Sequence, residues 1–141
     1  LAPVAAMTSP VSLILDTDMS IDVDDVGALC VAHALVERGE AEILAVVHNS
    51  RSDYGVGAIS AINNYHGRDS IPVGAYAGWV GDARGTSDMS PWCFSRDPPD
   101  RWQVGPYART LAQGFPSRVS NAGQADGDAV SVLRGALASA A

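Results

Sequence analysis

The chain has 141 residues, of which 47% are hydrophobic and 18% charged, a balance that suits one domain with a single core and excludes a disordered chain. The formal net charge is -7. With no cluster of Lys or Arg, nucleic-acid binding is excluded as the main role. No apolar run reaches the ~20 residues that a membrane helix needs, which argues against a membrane partner.

Leu1–Pro10 is small, apolar and uncharged. It reads as a flexible tail, and as a leader remnant it lacks the charged n-region. The compartment is therefore left open between cytoplasmic and secreted. Val11–Leu15 is a short apolar run and a strand candidate, followed by the acidic segment Asp16–Asp25. Ala28, Leu29, Ala32, Leu35 and Val36 then recur on one face of a helix, which Gly39 ends. Cys30 falls in this helix and reads as a small buried apolar residue. Neither it nor Cys93 has metal-type spacing.

Glu42–Val47 is nearly all apolar, as expected of a strand covered on both faces. Strand, helix and strand in so short a span make a βαβ unit with parallel strands and a right-handed crossover. A second helix is expected over Tyr54–His66, with Val56, Ile59, Ile62 and Asn63 on one side and Ser52 or Asp53 as cap. Gly67 closes it, and Ile71–Ala75 is the third strand. Residues 78–106 are rich in Gly and Pro and carry Trp79, Trp92 and Trp102. They read as a long ordered loop, of the kind that is often functional or a lid. Its tryptophans are more economically packing residues than a nucleobase stacking surface. A short helix over Pro106–Gln113 and a last helix over Asp126–Ser139, with Val130, Leu133 and Leu137 facing inward, complete the reading. The fold class is α/β: an open, mainly parallel sheet with flanking helices, in a single domain spanning 11–141.

Chemistry concentrates in Asp16, Asp18, Asp22, Asp24 and Asp25, five carboxylates in ten residues where strand one meets helix one. One or two acids there need no explanation beyond capping and the helix dipole, and Asp22 or Asp24 could serve so. Five repel, and a hard cation with oxygen ligands is the natural compensation: Ca²⁺, or Mg²⁺ with more water. Zinc lacks placed His or Cys ligands. An EF-hand loop starting at Asp16 fails, because Ile21 and Gly27 occupy the positions of its Gly and Glu.

Leu13-Ile14-Leu15-Asp16-Thr17-Asp18 resembles the first motif of haloacid-dehalogenase-like phosphatases, in which Asp16 would be the nucleophile and Asp18 the acid, with Mg²⁺. That resemblance leaves Asp24 and Asp25 unexplained. Asp16-Thr17-Asp18 followed by Asp24-Asp25 and Ala28-Leu29 more fully resembles the amino-terminal signature of inosine–uridine-preferring nucleoside hydrolases, in a form with longer spacing before the Asp pair. Val46-Val47-His48-Asn49 is similar to the strand-two end of that family. So, in a subgroup, are Gly105-Pro106-Tyr107 through Phe115-Pro116-Ser117 and the helix from Asp126.

The resemblance implies a Rossmann-like nucleoside hydrolase fold and hydrolysis of the N-glycosidic bond of a ribonucleoside to base and ribose with a calcium-activated water. Asp18 and Asp25 would bind Ca²⁺, and Asp18 would take the proton from the attacking water. Asp24 and Asn49 would bind the ribose, with Asn49 facing the Asp cluster across adjacent strand ends. Asp16 and Asp22 would support the other carboxylates. Base preference is not encoded in these residues. Family members are longer, and their later half supplies another calcium-binding Asp and a His near the leaving base, so the chain is expected to be truncated. His33 and His66 read as surface or packing residues, and His48 lies near the site. These hydrolases are usually oligomers, which implies a homo-oligomer as a possible partner state. A non-catalytic calcium- or ribose-binding homologue is the alternative from another class.

Overall fold

The structure is a computed structural model that describes residues 9–19, 23–50, 53–77 and 107–140. Residues 1–8 of the expected tail, Asp22, Ser52, the 78–106 loop with its three tryptophans, and Cys93 lie outside the described residues.

Two βα units open the fold. β1 (Val11–Thr17) leads to α1 (Asp24–Glu37), and β2 (Ala41–His48) leads to α2 (Asp53–Tyr65). Gly39 (φ +72) and Gly67 (φ +68) follow the two helices in the left-handed region that favours glycine, so each helix can end and turn back toward the sheet. β3 (Val73–Ala75), α3 (Tyr107–Gly114), a 3₁₀ turn at Ala122–Gln124, β4 (Gly127–Asp128) and α4 (Ala129–Ser139) complete the order.

All described strand pairs are parallel, and the sheet order is β1-β2-β3-β4. The expected open parallel α/β sheet is therefore present. One register shift occurs between Leu13 and Ile14, where Leu44 of β2 is the extra residue. Met19, Leu29, Val46, Ile59, Val73 and Val119 are fully buried in the core on one face of the sheet, beneath α1 and α2. Strand alternation sends Gly74 to the other face, where a Cβ would meet Ala129 Cα at 2.9 Å and Val132 Cβ at 3.0 Å. α4 therefore covers the face opposite α1 and α2. Asp128 caps α4, accepting from Ser131 N at 3.0 Å. Among the described residues no helix is long and apolar enough to cross a membrane.

Three expectations need correction. Cys30 is exposed: the buried stripe of α1 runs through Leu29, Ala32 and His33, and Cys30 stands about 100° round from Leu29. Ala28 is exposed for the same reason, on the other side of that stripe. On α4, Val130 (41% exposed) and Leu137 (57%) lie outside the contact, and the helix meets the sheet through Ala129, Val132 and Ala136.

Two polar clusters pin the elements that frame the sheet. His33 is fully buried, and its Nε2 lies 2.9 Å from Asn63 Oδ1 of α2. With Nε2 donating to that carbonyl oxygen, Arg68 Nη1 at 3.4 Å donates to Nδ1. His66 stacks on His33 with centroids 4.3 Å apart, so both histidines serve packing, as expected. Arg118 donates two 2.7 Å hydrogen bonds to Asp126 and a third, at 2.8 Å, to Asp69 O, while Asp126 also accepts from Val73 N. That fork ties the segment before β4 to the turn before β3.

Candidate functional site

Parallel strands place their carboxyl ends along one edge, where ligands bind in open α/β sheets. Asp16 is the penultimate residue of β1, Asp18 follows that strand directly, and Asn49 follows β2. Thr17 pairs with His48, and Asn49 N donates to Thr17 O at 2.9 Å, which aligns the two strand ends. Asn49 Nδ2 donates to Asp16 Oδ1 at 3.0 Å. The expected approach of Asn49 to the acidic segment across neighbouring strands is thus observed.

Asp24 and Asp25 form the first turn of α1, where the helix dipole favours negative charge. Asp24 is exposed, and Asp25 is half-buried with its Oδ2 withdrawn from solvent. Asp24 does not cap the helix. The cap position is Val23, which makes no side-chain cap hydrogen bond, so the capping explanation for Asp24 fails.

The backbone after β1 is held closely. Met19 N donates to Thr17 Oγ1 at 3.1 Å, and the Met19 side chain is fully buried. His48 Nε2 lies 3.1 Å from Met19 O and 3.1 Å from Ser50 Oγ. A carbonyl oxygen only accepts, so the Met19 contact is a hydrogen bond in the tautomer that carries the proton on Nε2. Burial holds the His48 imidazole below the ordinary histidine range, against the opposing influence of the Met19 hydrogen bond and the charges of Asp18 and Asp16. Met19 and Gly55 were not singled out from the sequence. Met19 carries no chemistry, and a glycine's close approach leaves no periodic signal.

The carboxylates of Asp16, Asp18, Asp24 and Asp25 offer only oxygen, the ligand type that hard cations take. Among the described residues, no three His, Cys, Asp or Glu side chains come together as a metal cage. A cleft of about 400 Å³ lies beside α4 and is lined by Leu44, Ala45, Pro72 and Val132 among others. It includes none of the expected site residues. No protein-family model, no curated protein and no solved structure matches this chain.

Proposed function

We propose that the carboxyl edge of this sheet is a nucleoside hydrolase-like site that binds Ca²⁺ and cleaves the N-glycosidic bond of ribonucleosides. The observation that supports it is the Asn49–Asp16 hydrogen bond. It sets the sugar-binding amide of the resemblance beside the acidic segment. Asp18 and Asp25 would hold the ion, which supplies Lewis-acid activation of water when bound. Asp18, exposed at the strand end, would take the proton from the attacking water. Asp24 and Asn49 would orient the ribose hydroxyls. The Asn49 amide offers two donors and one acceptor, and Asp16 uses one donor. The carboxylates would stabilise positive charge developing on the sugar as the base departs.

The same Asn49–Asp16 contact also fits a second reading, a non-catalytic homologue that binds calcium or ribose. A reducing-sugar assay with inosine and uridine, run with and without chelator, separates the two. Chelator-sensitive release of ribose supports the hydrolase. Calcium binding without ribose release supports the binding module. Magnesium-dependent phosphate release from a phosphoester, with a phosphorylated Asp16, would replace both with the phosphatase-like reaction. Calcium titration of the wild type against Asp25→Ala tests the ion itself: the variant should lose binding, and identical isotherms would overturn the ion's assignment.

A further inference from the structure

We propose that His48 is a positioning residue that immobilises the backbone carrying Asp18; the consequence for calcium rests on the function proposed above. Met19, the residue after Asp18, is held at three points. Its N–H is taken by Thr17 Oγ1, its carbonyl by His48 Nε2, and its side chain by the core. Asp18 is therefore an exposed carboxylate on a fixed stem, the arrangement that gives a site its precision.

Gly55 makes the contact possible. A Cβ there would lie 2.1 Å from His48 Nε2 and 2.6 Å from Met19 O. The first turns of α2 leave just enough room for the imidazole and the carbonyl to meet. Burying an imidazole is costly unless it is hydrogen-bonded. The Nδ1 atom of His48 is buried without a hydrogen-bond partner among the described residues. An aliphatic residue would fill this space at lower cost, so stability alone does not explain a histidine. The ring gives what an aliphatic residue cannot, a donor aimed at the peptide chain beside Asp18.

The ¹⁵N spectrum of the wild-type imidazoles tests the donor without any substitution. The Nε2–H tautomer is expected for His48, and an Nδ1–H tautomer would overturn the proposal. Amide hydrogen exchange at Met19 tests the hold. Exchange should accelerate in His48→Leu and return toward the wild-type rate in His48→Gln, whose amide keeps a donor. Equal protection in all three would overturn positioning. Calcium titration of the same proteins reads the consequence: His48→Leu should bind about 10–100-fold more weakly, the range for residues that orient metal ligands, and His48→Gln should recover most of the affinity. Unchanged calcium affinity in a folded His48→Leu would also overturn positioning. If wild type binds no calcium while Met19 exchange follows the donor, the proposed function fails and the positioning role of His48 stands. Should His48→Leu not fold, the tautomer of the wild-type imidazole still decides.

Discussion

At Gly57 the α2 backbone passes so close to the segment after α3 that a Cβ would stand 2.5 Å from Ser120 O and 2.7 Å from Ala112 Cβ. Alanine would gain about 1 kcal/mol of helix propensity, but neighbouring backbone must move to admit it. Overpacking of this kind costs about 1–3 kcal/mol, so Gly57→Ala should lower the urea midpoint. Gly135 of α4 is the control: nothing lies within 4 Å of its Cβ position, and Gly135→Ala should raise the midpoint through a stability gain of up to about 1 kcal/mol. The same scale governs Asp126. Its hydrogen bonds from Arg118, followed by that from Val73 N, hold its carboxyl below the ordinary carboxylate range against partial desolvation. That contribution is complete above the unfolded value near 4 and is lost as pH falls through the lower folded value. Arg118→Ala should flatten the acid limb of a stability–pH curve. Asn49 was legible in the sequence because it belongs to a motif. Gly57 and Gly55 were not, because what makes them necessary is a neighbour distant in sequence.

α2 was expected to bury one side, yet every residue from Gly55 to Asn63 is buried. The sheet covers one flank, while α3 and the segment around Val119 cover the other. Val119 N donates to Ser60 Oγ within that second contact. Ile59 is fully buried at the centre, so Ile59→Ala should cost about 2–5 kcal/mol, read from denaturant unfolding. Periodicity located α2 correctly and missed its second partner, because small residues such as Gly57, Ala58, Ser60 and Ala61 look neutral until a neighbour packs on them. β4 was missed entirely, since two residues carry no pattern. On α4 the wrong face was chosen: Val130 and Leu137 outrank Ala129 and Ala136 in hydrophobicity, but a close approach to Gly74 selects the small residues. The order of strands and helices before residue 78 was read closely, because a nearly continuous apolar strand and a glycine-terminated helix are strong local signals.

For the molecule as a whole, two buried imidazoles set the response to mild acid. Burial is the main cause that lowers His33, opposed by the Asn63 hydrogen bond. His66 and Arg68 push in the same direction as burial, and Glu37 against it. His48 is lowered chiefly by burial as well. Both rings resist a proton that the unfolded chain accepts near pH 6.5. Their stability is fully present above that value and falls as pH drops toward the folded values, by at most about 1.4 kcal/mol per pH unit for each ring. The denaturation midpoint should therefore fall on moving from about pH 7.5 to about pH 5.5, and His33→Asn should reduce the slope. The stacked pair of His33 and His66 has one more consequence. It rivets α1 to the end of α2, eight positions and about 12 Å along the helix from Asp25. α1 is then a lever with its fulcrum at the imidazoles, and a tilt of about 5° would swing the Asp25 end by roughly 1 Å at that radius. Substitutions at the rivet should thus be felt as altered reach at the far tip of the rod.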